Sequence, residues 1–158
     1  MKSRHLLVNR HVRDIDHLLV KNPSSVLSTA PLIEVLEKMT EDLRTRQVYV
    51  VDEDLSLIGV VRMSSIVEYL FPFDAMIELN KSLFEAYYPK LGAETAGDIM
   101  ISPPVMVTEE TTLGEMASLM MREGINELPV VNDKECLIGQ VNMYEVISSY
   151  LAIFKSSI

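Results

Sequence analysis

The sequence predicts a mixed α/β (α+β) fold made of two β-α-β-β-α repeats. Three observations point there. First, the chain repeats itself. Val12-Arg13-Asp14-Ile15 reads against Ala96-Gly97-Asp98-Ile99, and Pro31-Leu32-Ile33-Glu34-Val35 against Thr112-Leu113-Gly114-Glu115-Met116. Val50-Val51-Asp52 matches Val130-Val131-Asn132, and Leu57-Ile58-Gly59-Val60-Val61 matches Leu137-Ile138-Gly139-Gln140-Val141. The offsets are 84, 81, 80 and 80 residues, so two small length changes separate the copies; a near-constant period marks a duplicated supersecondary unit. Second, the apolar spacing inside each copy switches from a helical to a strand period. Third, each copy is only about 60 residues, too few to bury a sufficient core alone. The two are therefore expected to pack sheet against sheet around one shared core, with Val50, Val130, Ile58 and Ile138 inside.

The elements follow in order. Leu32, Val35, Leu36, Met39 and Leu43 fall on one face of a predicted helix that Pro31 can begin. In the second copy Leu113, Met116, Ala117 and Met120 repeat the face. Thr112-x-x-Glu115 is a capping box at its start and Gly124 a stop. Two β-branched strands come next, Val48–Val51 and Leu57–Val61, joined by the polar turn Asp52-Glu53-Asp54; Leu128–Val131 and Leu137–Val141 are their counterparts. Each copy then closes with a helix, whose apolar stripe in the second copy is read as Val146, Ile147, Tyr150, Leu151 and Phe154. Along the chain this divides into an arm (1–11), a first repeat (12–71), a connector (72–95) and a second repeat (96–158). The connector reads as a helix capped by Asp74, with Met76, Leu79, Leu83, Phe84, Ala86, Tyr87 and Tyr88 on one side and a stop at Pro89 and Gly92. It either covers a core face or offers a surface to a partner.

Composition narrows the function. Hydrophobic residues at 48% and charged residues at 23% describe a folded globule. Despite a mean hydropathy of +0.18, no apolar run reaches the roughly 18–20 residues that span a bilayer. After Lys2 and Arg4 the apolar stretch ends at Val8, too short for a secretory signal. The single Cys136 cannot form an internal disulfide, which fits a reducing, cytoplasmic setting. A net charge of -9 argues against nucleic acid, whose phosphates demand a basic face. The first 75 residues carry a net of only -2 and the rest -7, so cations for any anionic ligand are sought in the first repeat.

In order and in duplicate, these features resemble the tandem CBS-domain, or Bateman, module. The resemblance rests on Asp98-Ile99-Met100 with Pro104-Val105 behind it, the Leu-to-Met helices, the Val-Val-Asp turn, and Leu-Ile-Gly-Val-Val before a closing helix. It covers residues 12–71 and 96–154. It implies two repeats packed about a pseudo-twofold axis, with clefts between them that in this family often take adenine nucleotides or adenosyl compounds. It also implies a regulatory part that does no chemistry itself.

The family's nucleotide motif places Gly, two residues, Thr or Ser, two residues and Asp after the last strand. A carboxylate suits a ribose diol and a helix N-terminus suits phosphate. Here the positions read Gly59-Val60-Val61-Arg62-Met63-Ser64-Ser65 and Gly139-Gln140-Val141-Asn142-Met143-Tyr144-Glu145. Both depart from the pattern: Arg62 and Asn142 stand for the hydroxyl, Ser65 for the carboxylate, and Glu145 keeps the charge. Ser65-x-x-Glu68 and Asn142-x-x-Glu145 also have capping-box spacing, so these residues either cap helices or, for Glu145, grip a ribose as well. Arg46, before the first Val-Val strand, and Arg62 either face a phosphate or neutralise acidic neighbours. Ile101, Val105 and Pro129 either line an adenine slot or belong to the core.

Other chemistry finds no support. His5, His11 and His17 are spaced by six, a spacing that does not hold them together on one helix face. Cys136 has no nucleophile signature, and the ten methionines are read as packing material. The expected function is a non-enzymatic sensor of AMP, ADP, ATP or S-adenosylmethionine that needs no cofactor and signals to an unknown partner. The alternative is a homodimeric interaction module with degenerate sites. A homodimer built from helices is expected in either case.

Overall fold

The computed structural model describes residues 7–43, 45–71 and 92–156. A 3₁₀ helix, Val12–Leu18, leads into β1 (Ser25–Leu27), α1 (Leu32–Glu41), β2 (Gln47–Val51), β3 (Leu57–Arg62) and α2 (Met63–Leu70). A short α3 (Ala96–Ile99) then leads into β4 (Val107–Thr108), α4 (Leu113–Glu123), β5 (Glu127–Val131), β6 (Leu137–Asn142) and α5 (Met143–Ser156). The β-α-β-β-α order occurs twice, as the sequence predicts. The predicted connector helix falls almost wholly on residues 72–91, outside the described residues.

Each repeat builds a three-stranded sheet, β1-β2-β3 or β4-β5-β6. The first pair of strands is parallel because a helix links them, and the second is antiparallel because a tight turn does. Both antiparallel ladders slip by one residue at the same place, Val50/Val51 and Val130/Val131. The length changes are local. The 3₁₀ segment is three residues longer than α3, and five residues join α1 to β2 where three join α4 to β5.

The repeats along the chain are not the groupings in space. Residues 24–104 form one compact unit, and the stretch up to Pro23 joins Val105 onward in the other. Each sheet is thus completed by the lead-in of the other repeat. In the first unit Ala93, Ala96 and Ile99 pack with Val26, Val35, Val48, Val50 and Val61. In the second, Val12, Ile15 and Leu19 pack with Leu113, Met116, Met120, Leu128, Val130 and Val141. Backbone bonds fix both lead-ins. Ile101 exchanges amide and carbonyl with Val60 at 2.8 and 3.1 Å, and Val20 does so with Gln140 at 3.0 Å each way. The first free amide of each long helix is likewise answered, Leu32 by Glu94 O and Leu113 by Arg10 O. Gly59 has no side chain because Met100 lies over it; an added Cβ would sit 2.9 Å from the methionine Cγ.

Three expectations change. Val50 and Val130 are fully buried as expected, but Ile58 and Ile138 are only partly so, each packed against the cluster of its own unit. Leu43 lies beyond the end of α1 and is 92% exposed, because Asp42 leaves helical geometry and ends the stripe. The predicted stripe of α5 splits in two: Val146 and Ile153 face inward with Glu145 and Ser149, whereas Ile147, Leu151 and Phe154 are exposed.

Candidate functional site

Two pseudo-equivalent polar clusters form where each sheet's last strand turns into its closing helix. In the first unit, Gln47 is the register partner of Arg62 at the β2–β3 end of the sheet. The Met63 amide donates to Arg46 O at 2.9 Å, tying the start of α2 to the loop before β2. Thr45 and Gln47 are buried, and the Thr45 hydroxyl donates to Gln47 O at 3.0 Å. Arg62 is the N-cap residue of α2, and no side chain caps that helix. Its Nε is fully buried with no hydrogen-bond partner. Ser65 is buried in the first turn at the third helical position; it does not cap, because the helix starts two residues before it. Ile101 is the exposed residue paired with Val60. Arg46, Arg62, Ser65 and Ile101 therefore all belong to this unit.

In the second unit the same place is filled differently. The Met143 amide again donates to the preceding loop, to Asn126 O at 2.8 Å. Asn142 then caps α5: its Oδ1 accepts from the amides of Tyr144 at 2.9 Å and Glu145 at 3.2 Å. The Glu145 carboxylate closes the box, accepting from the Asn142 backbone amide and from its Nδ2 at 3.0 Å. Glu145 is buried with this arrangement. Gln140 is fully buried and donates to Glu127 at 3.3 Å. Val105 packs against this unit's core and Pro129 is a buried β5 residue.

The two ends thus differ in chemistry. At α5 the helix N-terminus is met by a neutral amide and a carboxylate of the chain itself. At α2 it meets a guanidinium whose Nε donor is buried and unmet. A buried donor without an acceptor is costly, and a positive side chain beside a helix N-terminus opposes the helix dipole. Both features are relieved by an anion. Thr45, Gln47, Val20 and Gln140 belong to these clusters and were missed by motif reading. Extending the repeat alignment would have found Val20, since Val20 and Pro23 correspond to Ile101 and Pro104 at the 81-residue offset.

Among the described residues no three His, Cys, Asp or Glu side chains gather as a metal would need. None of their helices is long and apolar enough to cross a membrane. A shallow groove of about 800 Å³ in the second unit, bordered by Val8, Met106, Gly114, Leu119 and Arg122, involves none of the predicted site residues.

A duplicated three-stranded sheet with a lead-in and a closing helix is the architecture of the CBS domain. The CBS family model matches residues 12–72 and 96–152, so the chain belongs to the CBS-domain family as a tandem pair. Among curated proteins it resembles the chloroplastic CBS domain-containing protein CBSX1 of Arabidopsis thaliana, at 25% identity over 143 residues. That match takes in 83% of this chain and 60% of the relative. Among solved structures, CBSX2 of the same plant in complex with AMP aligns with a TM-score of 0.71 at 22% identity, covering 92% of this chain and 98% of that one. A CBS domain pair crystallised with 5′-methylthioadenosine and S-adenosyl-L-methionine aligns at 0.67 and 20% identity, covering 89% and 98%. At these identities the structures speak for the fold.

Proposed function

We propose that this chain is a non-enzymatic regulatory module that binds an adenine nucleotide or adenosyl compound and passes the binding event to a partner protein. CBS pairs of the same fold have been crystallised with AMP and with adenosyl compounds. The observation that carries the reading here is the buried, unpartnered Nε of Arg62 at an uncapped helix start. A phosphate there would accept from the guanidinium and the first-turn amides together. Arg46 and Ser65 would border it, and Ile101 would offer apolar surface to the base. Bound separately, in the second unit, a ribose would share the cap of α5 with Asn142 and Glu145. Regulation follows from differential affinity: the ligand favours one arrangement of the module, which the partner reads. The module works in the cytoplasm, without nucleic acid, membrane or a resident cofactor.

Thermal shift with adenosine, AMP, ADP, ATP and S-adenosylmethionine tests this. A ligand at about 100 times its Kd adds roughly 2.7 kcal/mol of stability. The phosphorylated ligands should shift the wild type more than adenosine does, and Arg62→Ala should remove that difference. No shift with any of the five sinks the reading. Glu145→Gln separates the two uses of that carboxylate: weaker AMP binding by about 1–3 kcal/mol supports a ribose contact, and equal binding leaves it a cap alone.

A second reading, a homodimeric interaction module, is favoured by the exposed apolar residues on both closing helices, Met63, Val67 and Leu70 on α2 and Ile147, Leu151 and Phe154 on α5.

A further inference from the structure

The chain passes from one unit to the other through Lys21, Asn22 and Pro23. Val20 is still paired with Gln140 of the second repeat, and Ser24 O already accepts from the Tyr49 amide of the first at 2.9 Å. This short passage is strained. Asn22 lies in the left-handed region, with φ of 53°, where an L-residue is disfavoured. It also precedes Pro23, and a proline ring pushes the residue before it toward extended backbone. The segment ahead of the passage is held firmly. Val12, Ile15 and Leu19 are buried in the core of the second unit. The Val12 amide donates to Thr111 O at 2.9 Å, the Arg13 amide to Glu109 O at 3.1 Å, and the Leu113 amide to Arg10 O at 2.7 Å. Val20 and Gln140 exchange bonds at 3.0 Å each way, and Arg13 pairs with Glu110. All of these partners lie in the second repeat, on a surface that every copy of the chain presents alike.

We propose that this lead-in, residues 7–20, exchanges between two copies of the chain, each completing the β4-β5-β6 sheet of the other, with Lys21, Asn22 and Pro23 as the hinge. A swapped pair keeps every contact just described and changes only the hinge, which makes exchange of an identical element a low-cost route to a dimer. A short connection under strain invites it. Once the hinge extends, Asn22 leaves the left-handed region and takes the backbone that a following proline favours. The exchange is independent of the apolar helix faces above, because the surface it uses is a core that a single chain already buries. In the swapped pair the partner supplies the Val20 that meets Gln140, so the strand end leading into α5 is built from two chains.

Two full-length chains test the exchange, both carrying Cys136→Ser, one with Val20→Cys and the other with Gln140→Cys. Hydrogen-bonded antiparallel partners lie about 5.5 Å apart at Cα, within reach of a disulfide. The two are unfolded, refolded together over a range of concentrations, oxidised and run on a non-reducing denaturing gel. The expected result is a dimer linked between positions 20 and 140, identified by mass spectrometry of the bridged peptide, whose share rises with refolding concentration. Asn22→Pro in both chains forbids the positive φ and should raise that share about threefold. Asn22→Gly removes the strain and should lower it by about as much. One chain carrying both cysteines should close the bridge within itself when refolded dilute. If it does so while the mixed chains give no linked dimer at any concentration, the proposal is overturned. Copies held together by the helix faces alone would give that same outcome, a dimer in solution without the bridged peptide. A linked share that neither Asn22 substitution moves overturns the strained hinge and the proposal with it. Failure of the bridge in the doubly substituted chain overturns the pairing of Val20 with Gln140 on which the exchange stands.

Discussion

Asp52 and Asn132 hold the same post in the two repeats, and the structure shows why either residue serves. One oxygen, Oδ1, accepts two amides: from Asp54 and Ser56 at 3.0 and 2.9 Å in the first turn, and from Lys134 and Cys136 at 2.9 and 3.0 Å in the second. Acceptance is all that is required, so charge is immaterial. Asp52→Asn should leave stability unchanged within about 0.5 kcal/mol, whereas Asp52→Ala should cost about 1–2 kcal/mol by denaturant unfolding. The same turns force Leu55 and Glu135 into left-handed geometry, with φ of 65° and 59°. Glu135→Gly should therefore stabilise, since glycine adopts that geometry without a Cβ penalty. Three further carboxylates lock lead-ins and a helix start. The His11 amide holds Asp14 below the ordinary carboxylate range, the amides of Glu94 and Thr95 do so for Asp98, and the Thr112 amide and hydroxyl for Glu115. A depressed folded-state pKa means that the unfolded chain binds more protons in acid. Stability from these groups is present above the ordinary carboxylate values near pH 4 and is lost as pH falls from there through their lowered folded-state values. Unfolding midpoints measured from about pH 7 to 3 should show that decline, flattened in Asp98→Asn.

The helices make the contrast between the repeats sharpest. α5 has a complete cap and α2 has none, although their strands and turns match bond for bond. If α2 is held open for a ligand, capping it should stabilise the protein and impair binding. Arg62→Asn is expected to add about 0.5–1.5 kcal/mol in the absence of ligand, by supplying the cap that Asn142 supplies to α5. The same change should abolish any preference for phosphorylated ligands in calorimetry. Destabilisation by Arg62→Asn would show that the guanidinium is structural. Much of this was legible in the sequence. The Thr112-x-x-Glu115 box, the Gly124 stop and the Asn142-x-x-Glu145 spacing all depend on neighbours within one turn, and all form. Ser65 misled because a box depends on where the helix begins, and the Met63–Arg46 bond starts α2 earlier than spacing alone suggests.

At the scale of the molecule, the lead-ins decide which parts fold together. Ile15, from the start of the chain, is buried against β5 and β6 residues of the second repeat and not against its own. Ile15→Ala should cost about 2–4 kcal/mol. In native-state hydrogen exchange the lost protection should appear in β5 and β6 while β2 and β3 keep theirs; the opposite order would refute the exchange of lead-ins. For the same reason residues 93–158 taken alone should not fold cooperatively, because they carry Ala96 and Ile99 to complete a sheet they lack and omit the Val12, Ile15 and Leu19 that their own sheet needs. The duplicated pattern by itself determined the number of repeats, the order of their elements and the turns and caps, because these rest on periodicity and on contacts a few residues apart. It could not determine which lead-in joins which sheet, or that α5 keeps an apolar face exposed. The choice of lead-in turns on pairings some 40 to 120 residues apart in sequence, from Val60 with Ile101 to Val20 with Gln140, where two equivalent partners compete and only the folded chain selects one.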